Sequence, residues 1–185
     1  MLLGDHVRLR GVEESDIGKF VSWLNDPEVT ENLLIFWPLT MKQEEKWFED
    51  LSKKEPAEQP LAIEIETENG WELIGNSSLQ EIDCVNRSAE VGIFIGNKTC
   101  WGKGYGSTAM KLLLQFGFNR LNLNRIYLHV FETNPRAIRS YEKVGFKLEG
   151  RLRQDIFKNG KYIDVLMMSI LRSEWDEGSG LKVNS

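Results

Sequence analysis

Residues 101–107 read Trp101-Gly102-Lys103-Gly104-Tyr105-Gly106-Ser107. Three glycines alternate within this stretch, and its two flanks differ in kind. Upstream, a strand is expected from about Ala89 to Ile95. Downstream, Met110, Leu113, Leu114 and Gly117 recur at i, i+3, i+4 and i+7, the apolar stripe of a helix. A glycine turn between strand and helix can aim its backbone N–H groups inward, because no side chain obstructs them. Those groups join the free N–H groups of the helix's first turn to make an anion site. Lys103 adds positive charge, and a phosphate group is the natural occupant.

Spacing narrows the choice of phosphate ligand. A dinucleotide fingerprint needs G-x-G-x-x-G, and here the third glycine falls one residue early, with Ser107 in its place. A Walker loop needs G-x-x-x-x-G-K-[ST]; from Gly96 to Gly102-Lys103 there is one residue too many, and Gly104 replaces the magnesium-holding hydroxyl. Both nucleotide motifs fail. A tight turn with nothing bound stands as the alternative.

Working outward, His6 to Val12 alternates into a short strand. Ser15 is a candidate N-cap for a helix carrying Ile17, Phe20, Val21 and Leu24, which stops before Asn25-Asp26-Pro27. An irregular loop with Leu33, Leu34, Ile35, Phe36 and Trp37 follows, and Thr40 caps a second helix. Leu61, Ile63 and Ile65 alternate with glutamates, and Asn69-Gly70 turns the chain into a return strand through Trp71, Leu73 and Ile74. Beyond the glycine-turn helix, Arg125 to Phe131 is a strand. Asn134 caps a helix with Pro135 at its first position and Gly145 at its close. A final hairpin turns at Asn159-Gly160. The order β-α-α-β-β-β-α-β-α-β-β describes a mixed α/β (α+β) arrangement around one sheet.

The formal net charge of −5 hides a segregation. Residues 1–97 carry 8 Lys and Arg against 20 Asp and Glu, whereas residues 98–143 carry 8 against 2. One segment suits an anion and the other a cation, unless both are simply solvated faces. Cys84 and Cys100 sit in no metal-ligand spacing with His6 or His129, so free thiols in a reducing cytoplasm and no metal site are expected. Both histidines are read as satisfied residues in or beside strands. The N-terminus lacks a signal-peptide pattern, and no apolar run reaches membrane-spanning length.

The glycine turn and the stretch Asn134-Pro135-Arg136-Ala137-Ile138-Arg139-Ser140-Tyr141-Glu142-Lys143-Val144-Gly145-Phe146 together resemble the GNAT superfamily of acetyl-CoA-dependent N-acetyltransferases. The second stretch is similar to the branch holding ribosomal-protein N-terminal and spermidine acetyltransferases. Trp101 departs from the family pattern, which usually places Gln or Arg there. The resemblance implies one transferase domain over residues 1–175, with a mostly antiparallel mixed sheet of about seven strands and helices on both faces. A flexible tail, 176–185, is expected after it. It implies acetyl-CoA as co-substrate, with pantetheine along Val91–Ile95 and an N–H near Phe94 or Ile95 facing the thioester carbonyl. Gly96, the stretch Trp101 to Ser107 (through Gly102, Lys103, Gly104, Tyr105 and Gly106), Asn134, Arg139 and Lys143 would hold the rest of the cofactor. Tyr141 would be the general acid for the thiolate. Glu90 is the first candidate for the base, Glu81 the second and Asp83 the third, with a water relay as the alternative. Glu28, Glu31 and Trp37 would face an amine acceptor: a polyamine, a protein N-terminus or an amino sugar. Family members pair into dimers, a property no feature of the sequence itself demonstrates. A non-catalytic CoA-binding sensor is the rival reading. Nucleic-acid binding by the basic segment is weak, because a phosphorylated cofactor already accounts for its charge.

Overall fold

Alternation along Val7-Arg8-Leu9-Arg10 sends two apolar side chains to one face of a strand and two guanidinium groups to the other. This strand, β2 (Val7–Gly11), pairs antiparallel with β1 (Leu2–Leu3) on one side and β3 (Leu61–Thr67) on the other. The computed structural model describes residues 1–179. Asn69-Gly70 turns β3 into β4 (Gly70–Asp83), with Gly70 at φ +107, and β4 pairs antiparallel with β5 (Ser88–Ile95). β6 (Arg125–Phe131) then lies parallel to β5. The hairpin of β7 (Lys147–Lys158) and β8 (Lys161–Leu171) turns at Asn159 (φ +51) and Gly160 (φ +77), and β8 inserts beside β6. The sheet runs β1-β2-β3-β4-β5-β6-β8-β7. It has eight strands where about seven were expected; the two-residue β1 is too short to show an alternation.

Neighbouring residues on β3 face different cores. Ile63 joins the larger core under α4 (Tyr105–Asn119), where Met110, Leu113, Leu114 and Gly117 are buried as their spacing predicts. Ala62 joins a second core with Ile17 and Phe20 of α1 (Ile17–Leu24), against which Trp47 and Phe48 of α3 (Met41–Leu51) pack. Helices therefore cover both faces. α5 (Pro135–Val144) returns over the larger core and closes on Gly145 at φ +112.

Three local expectations change. Ser15 does not cap α1: Asp16 accepts the Glu13 N–H at 2.9 Å and is gripped by Arg10 at 2.7 and 2.8 Å. The segment after α1 contains a short helix, α2 (Pro27–Thr30), because Asp26 accepts the Glu28 N–H and Pro27 presets its first turn. α6 (Arg172–Ser179) takes in the first four residues of the expected tail; residues 180–185 lie outside the described residues. Among the described residues no helix is long and apolar enough to cross a membrane. Both cysteines are free thiols, Cys84 exposed and Cys100 buried.

Candidate active site

β5 and β6 pair only from Ser88 to Glu90, against Arg125 to Tyr127. Beyond Glu90 the strands part, although β5 continues to Ile95 and β6 to Phe131. Their separation opens a cleft of about 730 Å³, walled by both strands, α5, the glycine turn and the segment around Glu28 to Leu34. The five steps from Glu90 to Ile95 give this wall a length of roughly 17 Å.

The glycine turn is fixed to the far end of β5. Gly102 (φ +74) and Gly104 (φ +88) occupy the left-handed region that side chains disfavour. Gly104 is the N-cap of α4 and supplies no side-chain cap, so the first N–H groups of that helix keep their donors for a ligand. The Trp101 indole N–H donates to the Ile95 carbonyl at 2.7 Å, and the Arg136 guanidinium lies 3.9 Å from the centre of a Trp101 ring. Trp101 thus joins β5, the turn and α5. The hydroxyls of Ser107 and Ser140, 2.8 Å apart, tie α4 to α5. Arg139 and Lys143 line the same cleft. Open backbone donors beside cationic side chains form a cradle suited to pyrophosphate.

Asn134 caps α5 by accepting the Ala137 N–H at 3.1 Å, and two turns on Tyr141 faces the cleft. Its ring packs beside Phe146, with centroids 6.0 Å apart. Burial pushes the Tyr141 hydroxyl up to about 12, which keeps it a proton donor at neutral pH.

Glu90, at the fork, is hydrogen-bonded to His129 Nδ1 at 2.8 Å. Glu28 and Asp155 also line the cleft. Lys98 bridges Glu28 at 2.9 Å and Asp26 at 2.7 Å, so Glu28 enters the wall already paired.

Several expected site residues stand elsewhere. Gly96 is off the cleft wall: its N–H donates to the Ile74 carbonyl, and a Cβ there would come within 2.2 Å of the Trp23 ring. Lys103 projects to solvent and Tyr105 packs toward the larger core; neither lines the cleft. Trp37 is 80% exposed and Glu31 lies off the wall, because Lys158 holds the intervening segment by its carbonyls. Glu81 accepts from the Tyr127 hydroxyl at 3.1 Å, outside the wall, and Asp83 is engaged by the turn at Val85 and Asn86. Phe94, Ile95, Trp101, Gly102, Gly104, Gly106, Ser107, Asn134, Arg139, Tyr141, Lys143, Glu90 and Glu28 do converge.

Two residues escaped the sequence reading as parts of the site. His129 is the satisfied strand residue expected, bonded to Glu90, and it also lines the cleft at the fork. Its signal is the polar face Arg125, Tyr127 and His129, alternating with the apolar residues of the strand. Lys158 has no such signal, since it is buried at the end of a strand whose other residues are nearly all exposed.

Comparison with known proteins agrees with this geometry. A profile of the acetyltransferase (GNAT) domain matches residues 6–147. A spermidine N(1)-acetyltransferase of Vibrio cholerae is 35% identical over 176 residues, covering 94% of this chain and 97% of that protein. A putative ribosomal N-acetyltransferase of Bacillus subtilis is 36% identical over 104 residues, 56% of each chain. The crystal structure of the Vibrio cholerae spermidine N-acetyltransferase with CoA and spermine superposes with a TM-score of 0.82 at 32% identity, over 93% of this chain and 99% of that one. The chain belongs to the GNAT family and is an acetyl-CoA-dependent N-acetyltransferase that acetylates amines.

Proposed function

We propose that the acceptor is a polyamine and that the cleft joins its primary amine to the thioester of acetyl-CoA laid along β5. The observation that carries this reading is the polarity of the wall. The glycine turn, with Arg136 over Trp101, stands at the end of β5, and Arg139 and Lys143 line the wall from α5; Glu90 stands near the start of β5, Asp155 is a further carboxylate on the wall, and Glu28 is paired with Lys98. A chain of alternating methylenes and ammonium groups matches the acidic part, and a phosphorylated cofactor matches the basic part. The two spermidine acetyltransferase relatives from Vibrio cholerae and Escherichia coli support the same class.

In this reading the backbone of residues 101–107 holds the pyrophosphate, with Arg139 and Lys143 as counter-charges. Asn134 binds a pantetheine amide through its free side-chain N–H groups. A backbone N–H near Phe94 or Ile95 faces the thioester oxygen and stabilises its developing charge. Tyr141 gives its proton to the departing thiolate, and Glu90 serves proton removal on the amine side. Transfer is direct, through a ternary complex. The transferase domain occupies residues 1–175. The free thiols fit a cytoplasmic site of action. A second copy would cover the edge strand β7, where Leu148 and Leu152 are exposed.

The test is thiol release from acetyl-CoA with spermidine, spermine, glucosamine, free amino acids and a peptide with a free N-terminus. The expected result is the highest kcat/KM with spermidine or spermine. A higher value with the peptide would move the acceptor class to protein N-termini.

A further inference from the structure

We propose that His129 is the base that removes the proton from the acceptor amine, and that Glu90 acts by positioning it. The inference rests on the transferase reading above and assigns the step that reading leaves with a carboxylate.

The placement follows from the fork. Glu90 is the last residue of β5 paired with β6, where it faces Tyr127. His129 lies two residues further along β6, so its side chain leaves the same face as Tyr127, at the point where the cleft opens. Two contacts hold the imidazole. Nδ1 is 2.8 Å from Glu90 Oε1, and the Tyr127 ring meets the imidazole edge-on, at 5.9 Å and 88°. Tyr127 is fixed in turn by its hydroxyl, which donates to Glu81 at 3.1 Å.

The bond to Glu90 sets the chemistry of the ring. A carboxylate only accepts, so Nδ1 carries the hydrogen and Nε2 keeps its lone pair. Nε2 makes no hydrogen bond among the described residues. The His129 side chain is 33% exposed and that of Glu90 18%, so the imidazole is the more open of the two. By its chemistry an imidazole is a better acceptor of a proton from an alkylammonium ion than a carboxylate is. Glu90 stabilises the imidazolium that forms. The charged and titratable groups around it are Tyr127 beside it, Arg125 over the Tyr127 ring at 4.9 Å, Glu81 behind Tyr127, and Asp155, Tyr141, Glu28, Arg136, Arg139 and Lys143 on the cleft wall.

The step balances as follows. His129 Nε2 takes one proton from the alkylammonium, leaving a neutral amine and an imidazolium. The amine nitrogen forms a bond to the thioester carbon, and the carbon–sulfur bond breaks with its electron pair on sulfur. Tyr141 protonates that thiolate, and the second proton of the new amide nitrogen restores the tyrosine. The imidazolium returns its proton to water.

The experiment measures thiol release with spermidine between about pH 6 and pH 10 for the wild type, His129→Gln and Glu90→Gln. Each is repeated with hydroxylamine, an acceptor largely neutral at the upper pH values. CoA affinity is followed by calorimetry. For His129→Gln, kcat/KM for spermidine should fall about 100-fold or more at neutral pH, and the loss should shrink toward pH 10 as more of the amine arrives already neutral. CoA affinity should stay within about twofold, and the loss with hydroxylamine should shrink to less than about tenfold. For Glu90→Gln, kcat should fall by less than for His129→Gln with KM and CoA affinity held, because the imidazole stays at the cleft but loses the carboxylate that orients it. Equal losses with spermidine and hydroxylamine would make His129 structural and overturn the proposal. So would a His129→Gln enzyme with unchanged kcat/KM and pH profile. A wild type that releases no thiol with any amine would instead remove the transferase reading on which the proposal stands.

Discussion

At the residue scale, Tyr141 and Trp101 show how one side chain's surroundings fix its task. Burial raises the Tyr141 hydroxyl to about 12, so the group is neutral at working pH and available as a proton donor. In the proposed mechanism its acceptor is the departing thiolate, whose proton affinity the same desolvated cleft raises. Tyr141→Phe keeps the ring contact with Phe146 and deletes the donor. Its kcat should fall by about 10²- to 10⁴-fold while the dissociation constant for acetyl-CoA changes by no more than about twofold. Steady-state kinetics with calorimetry separates the two, and an unchanged kcat would take Tyr141 out of the mechanism. Trp101 carries a different lesson. The sequence places an indole where the family usually has Gln or Arg, and pattern matching reads only the missing side chain. The structure supplies a role: a donor to the last carbonyl of β5 and a platform for Arg136. That role depends on a cation and a carbonyl brought from 35 and 6 residues away, which no local motif records.

At the element scale, two charged clusters hold segments that hydrophobic packing alone would leave loose. Lys158, 8% exposed, donates to the carbonyls of Thr30 at 2.7 Å, Leu33, and Ile35 at 3.2 Å. It anchors the segment that carries Val29, Asn32, Leu33 and Leu34 into the cleft wall. Lys158→Met keeps the apolar stem and leaves three carbonyls without their donor. KM for the amine should rise by about tenfold or more while CoA affinity holds, since the cofactor cradle lies on other elements. An equal loss for both ligands would show instead a general collapse of the cleft. The second cluster joins β2, β3 and the entry to α1. Arg10 bridges Asp16 and Glu64, and Arg8 adds to Glu64 at 2.5 Å. Burial pushes the Asp16 carboxyl up, but Arg10 and the Glu13 N–H outweigh it and hold the group below its ordinary value. A depressed folded value contributes stability above the unfolded value, near pH 4, and loses it as pH falls through the folded one. Asp16→Asn should therefore cost about 3 kcal/mol at pH 7, and the gap from the wild type should narrow below about pH 4. Denaturant midpoints at the two pH values check this. Sequence reading located α1 within two residues but assigned its cap to Ser15. Cap preference is local, whereas Asp16, at the boundary of α1, turns its carboxylate back to Arg10 on the preceding strand and to the Glu13 N–H, so no side chain caps α1.

At the scale of the whole molecule, the charge segregation read from sequence survives only in part. Of the basic residues in 98–143, Arg136, Arg139 and Lys143 reach the cleft, while Lys98 is spent on Asp26 and Glu28, and Arg125 on Glu149. Much of the acidic half is likewise committed, with Glu64 and Asp16 held by arginines and Glu58 accepting the Ile82 N–H. Composition pointed to the right ligands because a minority of each set meets at the fork. The fork itself was not legible: strand patterns predict that β5 and β6 exist, but not that their pairing ends at Glu90. That ending divides the sheet into a wing of β1 to β5 and a wing of β6, β8 and β7, joined across three residue pairs. A ligand lying along β5 against α5 must touch both wings, so its binding energy opposes their separation. With CoA at about 100 times its dissociation constant, openings that break the site become costlier by about 2.7 kcal/mol, a slowing of exchange by about 100-fold. Amide hydrogen exchange should therefore slow in 91–95, in 102–107, and in those amides of β6 and β8 that exchange when the wings part. Amides of the β1–β2 edge that exchange by local fraying should not change, because fraying there leaves the cleft intact. Protection confined to 102–107 would mean that the phosphates dock without the pantetheine arm reaching the fork, and would separate the cofactor cradle from the reaction centre assigned to it.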